Sequence, residues 1–247
     1  MDSSAVAILT VFVGIILFAL VLGRFLPRDT PESVDRISIV EHATEPQSTA
    51  RPNTLASLSE FLPCEFVVLD LETTGLNSER DEIIEFGAIR VTLGADRQPT
   101  FQCLVRPARK VPAKITRITG ITQTMVESEG LGPEIALRQF LEFIGDLPLV
   151  TFNAEFDMGF LQSAARKQGV TITNSYACAL KRARRAWPGL QSYKLVDLAV
   201  LGNLSVDDAH RALGDCNRAL IVFVSATQKL GQKVRWTKLP AISHTRP

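Results

Sequence analysis

The chain has 247 residues, 46% of them apolar and 21% charged, with 27 Lys and Arg against 26 Asp and Glu and a net charge of +1. Such a composition can bury a sizeable core, which excludes a disordered or collagen-like chain, and the charge balance excludes a histone-like polycation. Four cysteines, Cys64, Cys103, Cys178 and Cys216, form no close pair, which argues against a zinc ribbon or a dense disulfide framework and for a reducing compartment.

From Ala5 to Gly23 no residue carries a charge. At ~1.5 Å of rise per residue, a helix of that length nearly matches a hydrocarbon core of roughly 30 Å. A cleaved signal peptide would have a basic start, a shorter apolar run and a small-residue cleavage site, whereas this chain opens Met-Asp-Ser-Ser. The positive charges follow the segment, at Arg24 and Arg28, so the expectation is an uncleaved single-pass anchor in the cell membrane with the remainder on the cytoplasmic side. Residues 25–60 mix Pro27, Pro31, Pro46 and Pro52 with polar and charged residues and read as a flexible linker.

Beyond the linker, strands are expected at Phe66 to Leu71, Ile84 to Leu93 and Thr100 to Val105. A helix near Glu134 to Ile144 carries Leu137, Phe140, Leu141 and Ile144 at helical spacing. A short buried strand at Leu149 to Phe152 leads into a helix from about Phe156 to Gln168, which Gly169 ends. A helix-rich stretch covers Ala179 to about Leu201, and a last amphipathic helix spans Ala212 to Leu230. Adjacent strands followed by alternating strand and helix predict an α/β domain with a mixed central sheet.

Three motifs carry chemistry. In FVVLDLETTG, Asp70 and Glu72 stand two apart on a strand and so project to one face, while Leu69 and Leu71 pack on the other. Two adjacent carboxylates repel unless a cation lies between them, although a strand with a wet acidic face would look the same. In TFNAEFDMGFL, Asp157 falls in the first turn of a helix, where the dipole alone would favour it, and Asn153 could be the N-cap. Glu155 is expected to be exposed. In HRALGDC, His210 and Asp215 would stand about 140° apart on one helix, so a shared site requires His210 to precede the regular helix.

Taken in order, Asp70 to Gly75, Asn153 to Asp157 and His210 to Asp215 resemble the three motifs of the DEDDh, or DnaQ-like, 3′–5′ exonucleases, the family of the proofreading epsilon subunit of bacterial DNA polymerase III. RDEIIEFGAIRV resembles the family's second strand, and ITGIT at Ile118 to Thr122 its substrate-gripping element. Phe152 departs from the pattern, where many relatives have His, and so does the N-terminal apolar segment. The resemblance implies an RNase H-like exonuclease domain over 61–231, preceded by the anchor over 1–24 and followed by a short basic tail over 232–247. It implies that Asp70, Glu72, Asp157 and Asp215 hold two divalent ions, Mg²⁺ or Mn²⁺, with Asp70 as the bridge, and that His210 is the general base. Thr73, Thr74, Gly75, Leu76, Ile121, Asn153 and Phe156 would contact the terminal nucleotide.

Two stretches, Arg106 to Arg117 and Lys181 to Lys194, are basic without a single acid and could bind phosphates, with Trp187 and Tyr193 stacking on bases; an ordinary solvated face is the alternative. The implied partner is the 3′ end of single-stranded DNA or RNA, besides the membrane through residues 5–23. Rival readings are an exonuclease that trims RNA or oligoribonucleotides and a non-catalytic membrane adaptor that keeps the fold.

Overall fold

The computed structural model describes residues 58–207 and 209–239. The apolar segment from Ala5 to Gly23 and nearly all of the linker lie outside the described residues; among those described, no helix is long and apolar enough to cross a membrane.

Strands β1 (Glu65–Thr73), β2 (Ile83–Thr92) and β3 (Thr100–Leu104) form an antiparallel meander. Helices α1 (Ala113–Thr119), α2 (Gln123–Ser128) and α3 (Pro133–Ile144) follow, then β4 (Leu149–Thr151), α4 (Ala154–Lys167), β5 (Ser175–Cys178), α5 (Ala179–Ala186), α6 (Leu195–Leu201), α7 (Ala212–Leu230) and β6 (Thr237–Lys238). The sheet order is β3-β2-β1-β4-β5-β6, with β4 parallel to both β1 and β5 and with β6 antiparallel to β5. This is the expected mixed sheet flanked by helices.

Strand periodicity explains how β1 places chemistry. Val67, Leu69 and Leu71 point into one core with Leu137 and Phe140 of α3 and Met158 and Leu161 of α4. Phe66 and Val68 point into the opposite core, against Ala183 of α5, Trp187, and Ala219 and Phe223 of α7. Asp70 and Glu72 continue this second face at the C-terminal end of the strand, beside the start of α7. Most of α7 is buried on every side, as expected for an apolar helix laid across a sheet.

One glycine permits that arrangement. A Cβ on Gly87, the register partner of Asp70 in β2, would lie 2.5 Å from the backbone carbon of Ala212. Only a residue without a side chain lets the first turn of α7 come so close to the sheet.

The ends of the domain differ from the sequence reading. Leu58, inside the expected linker, is buried with Leu62 in the α7-side core. The expected tail contributes buried Val234 to the same core, sends the Val234 N–H to the Phe61 carbonyl at 3.2 Å, and closes the sheet with β6. Its apolar Val234 and Trp236 have a surface to cover, so the chain does not leave the domain at residue 231.

Candidate active site

The structure brings Asp70 and Glu72 of β1 together with Asp215 from the first turn of α7: each offers a carboxylate oxygen, and these atoms all lie within 4.8 Å of one another. Asp157, in the first turn of α4, is 2% exposed. Its Oδ2 accepts a hydrogen bond of 2.5 Å from the Thr151 hydroxyl at the end of β4. Its Oδ1 is buried with no hydrogen-bond partner.

Crowding and burial dominate the electrostatics. Asp70 is held well above the usual carboxylate range, first by removal from water and then by the charges of Asp157, Asp215, Glu72 and Glu85. Burial, reinforced by Asp215 and Glu85, pushes Glu72 up to about 8. Burial raises Asp157 to about 7 against the opposing effect of its bond from Thr151. Asp215 is raised by burial and partly relieved by Arg218, whose Nη1 donates to Oδ1 at 2.8 Å. Four acids that resist ionising together form a site that a positive charge would stabilise. Among the carboxylate oxygens the orphaned Oδ1 of Asp157 wants a partner most, and an all-oxygen donor set suits a hard divalent ion such as Mg²⁺ or Mn²⁺. The residues present therefore fit a divalent metal centre.

His210 precedes α7, as a shared site with Asp215 requires. Its side chain is exposed, its φ is +63°, and its backbone N–H donates to Oδ2 of Asp215 at 3.2 Å. A left-handed φ on a residue with a Cβ is costly, and this hydrogen bond to Asp215 helps to hold it. Asn153 is exposed and occupies the N-cap of α4, but its side chain makes no capping bond. Glu155 is exposed and pairs with Lys181 at 2.8 Å.

Sequence reasoning missed Glu85. It stands opposite Glu72 in the β1/β2 register and is fully buried. It accepts bonds from Arg211 Nη2 at 2.7 Å, from the Ala212 N–H at 3.0 Å and from Gln102 Nε2 at 2.9 Å. These contacts fasten the first turn of α7, and with it His210 and Asp215, to the sheet. An acid inside the apolar run IIEFGAI was the available signal, because a carboxylate there needs a buried cation.

Of the expected substrate contacts, Thr73 and Thr74 are buried, Gly75 is half-buried, and Leu76 is 86% exposed. Phe156 is half-buried against Phe160, with ring centroids 4.9 Å apart. Three expectations are corrected. Ile121 is fully buried in a small cluster with Ile84, Val111 and Val126, so its side chain is core and Ile118 is the exposed apolar residue of that segment. Trp187 is fully buried and cannot stack on a base, while Tyr193 gives its hydroxyl to the Trp187 carbonyl and its ring face to Arg184. Arg182 is likewise buried, donating to Thr227 and to the Gln232 carbonyl.

Residues 67–223 match the family model described as Exonuclease, of the RNase T type. The DNA polymerase III subunit epsilon of Aquifex aeolicus is 34% identical over 72% of this chain and 88% of its own length. The PolC-type DNA polymerase III of Caldanaerobacter subterraneus subsp. tengcongensis is 38% identical over 67% of this chain; the match spans only 12% of that much longer protein. Among solved structures, exonuclease X in complex with 5′ overhanging duplex DNA is similar with a TM-score of 0.56 and 26% identity, over 68% of this chain and 94% of that one.

Proposed function

The chain belongs to the exonuclease family, and on that premise we propose that it is a metal-dependent 3′–5′ exonuclease that releases nucleoside 5′-monophosphates from nucleic acid, with single-stranded DNA preferred. The observation that carries this reading is the convergence of Asp70, Glu72 and Asp215 beside a buried Asp157 with an unpartnered oxygen. An adaptor that only needed the fold would gain nothing from assembling four mutually repelling acids.

In this reading Asp70, Glu72, Asp157 and Asp215 would hold two divalent ions, Mg²⁺ or Mn²⁺. When bound there, the ions would offset charge on the attacked phosphate and the leaving 3′ oxygen and acidify the attacking water. In this reading His210 is the general base that takes the proton of the attacking water. The hydrogen bond from its backbone to Asp215 ties the position of this base to the acids. Thr73, Thr74 and Gly75 line the approach of the terminal nucleotide, Asn153 and Phe156 border it, and the exposed Leu76 wedges under its base. Lys110, Lys114, Arg117 and Lys194 are exposed and available to phosphates further along the strand.

We further propose that residues 5–23 anchor the protein in the cell membrane with the nuclease domain cytoplasmic, a reading supported by the uncharged run and by Arg24 and Arg28 behind it. Retention of the chain in carbonate-washed membranes supports it, and recovery in the soluble fraction defeats it.

The test of the activity uses 5′-labelled single-stranded DNA and RNA in Mg²⁺ or Mn²⁺, beside an Asp70→Ala, Glu72→Ala double variant. The expected result is a ladder shortening from the 3′ end that the variant does not give. Preferential shortening of RNA would favour an RNA-trimming enzyme; no metal-dependent shortening of either polymer would leave the adaptor reading standing.

A further inference from the structure

The turn after β1 and the basic stretch from Arg106 to Arg117 are distant in sequence, yet the Glu82 side chain ties them together. Glu82 sits at the neck of the β1–β2 loop, where its backbone pairs with Thr74 in both directions: the Thr74 N–H donates to the Glu82 carbonyl at 2.8 Å, and the Glu82 N–H donates to the Thr74 hydroxyl at 3.0 Å. From that anchored position its carboxylate reaches across the surface. Oε1 accepts the N–H of Ala108 at 3.1 Å and Oε2 accepts the N–H of Arg109 at 3.0 Å. Arg109 returns a bond from Nη1 to the Arg80 carbonyl at 3.1 Å, within the same loop. Past this clamp, the Val111 N–H donates to Gln123 at 2.8 Å and Val111 itself is buried with Ile121 and Val126, so the segment that carries Lys110 is held on both sides.

A carboxylate is the side chain suited to this task. Two successive backbone N–H groups need two acceptor oxygens at fixed separation, and the ionised form makes both bonds charge-assisted. A glutamine offers one acceptor and an alanine none. Glu82 also places one negative charge beneath a stretch that otherwise carries only cations: Arg106, Arg109, Lys110, Lys114 and Arg117.

We infer that Glu82 is a positioning residue for nucleic acid: it holds the cationic stretch of residues 106–117 in register with the Thr73–Leu76 turn, so that a strand whose terminal nucleotide lies at the turn meets Lys110, Lys114 and Arg117 with its upstream phosphates. This deepens the proposed exonuclease reading and rests on it. The Glu82 carboxylate bonds to the Ala108 and Arg109 N–H groups and to none of Asp70, Glu72, Asp157 and Asp215, so its side chain governs binding of a long strand and leaves the bond-breaking step alone.

The experiment compares Glu82→Ala and Glu82→Gln with wild type in the full chain, on a single-stranded oligonucleotide and on a dinucleotide too short to reach the cationic stretch. Binding of the labelled oligonucleotide is followed in parallel by fluorescence anisotropy. For Glu82→Ala the expected result is a KM for the oligonucleotide raised about tenfold with kcat within about twofold, and a plot of log KM against log salt shallower by about 1, as for a lost phosphate contact. The dinucleotide is cleaved as by wild type, and Glu82→Gln falls between the two. Unchanged KM and salt slope in Glu82→Ala would overturn the inference. So would equal losses on both substrates, which would assign Glu82 to fold maintenance alone. If wild type cleaves neither substrate, the exonuclease reading fails on its own; weaker, less salt-sensitive oligonucleotide binding by Glu82→Ala would then still support the clamp, and equal or absent binding would sink it too.

Discussion

Replacing Asp157 with asparagine should make the metal-free protein more stable while removing its hydrolytic activity. The wild-type carboxyl is 2% exposed and is raised to about 7 from an ordinary 3.8. The sign follows from linkage: the folded state favours the protonated acid, so folding is penalised as pH rises through the window between about 4 and 7, and the whole penalty is present above it. A difference of roughly 3 pH units corresponds to about 4 kcal/mol. The amide keeps an acceptor for Thr151 but puts an NH₂ where Oδ1 has no partner, which costs about 1–3 kcal/mol. The net gain is about 1–3 kcal/mol, or a rise in Tm of roughly 2–12 °C for a domain of this size. Melting of the full chain in EDTA, followed through the fluorescence of the buried Trp187, measures it at pH 8 and again at pH 5, where only about a third of the penalty has accrued and the cost of the amide cancels it. A variant no more stable than wild type at pH 8, or equally stabilised at both pH values, would refute the reasoning. Loss of nuclease activity in the same variant separates the cost of this acid from its use.

Three further outcomes are expected. Because Glu72 is pushed up to about 8, adding Mn²⁺ to the metal-free protein at pH 7 should release protons, detectable by calorimetry in two buffers of different ionisation enthalpy; zero release would contradict the crowded-acid description. His210→Ala should lower turnover by about 10² to 10⁴ and leave Mn²⁺ affinity near wild type, since only the His210 backbone bonds to Asp215; unchanged turnover removes this residue from the chemistry. Gly87→Ala puts a methyl 2.5 Å from the Ala212 backbone, so α7 must shift from the sheet at a cost of about 1–3 kcal/mol, and activity should fall with the Tm; a variant with wild-type values for both would show that the close approach is not needed.

Periodic elements were legible in the sequence, as were the short apolar strands β3 and β4, whereas the shortest helices and β5 were not. The spacing of Leu137, Phe140, Leu141 and Ile144 marked α3, and α7 runs over the expected Ala212–Leu230. Helices α1 and α2 have seven and six residues, too few for an apolar face to repeat, and β5 has four. At the site, the alternation in β1 put Asp70 and Glu72 on one face, and the 140° argument required His210 to leave the helix, which it does. Glu85 escaped notice because a lone acid in a strand has no periodicity; only the fold shows that Arg211 and the start of α7 meet it. Ile121 and Trp187 were misread for a related reason. Sequence places a residue in a segment, and which side of that segment is covered depends on partners elsewhere, here Val111 for one and the α7 face for the other.

Asp70 and Glu72 lie near the beginning of the folded domain and Asp215 near its end, so a piece of the chain that lacks either β1 or α7 lacks the cluster. The carboxylates can meet only after β1 is paired with β2 and α7 has come down on Gly87. A half-made or misregistered chain therefore has acids but no centre. Completion of the fold would then act as a safety catch on the proposed activity, since the acids of β1 have no partner acid until the last long helix is in place.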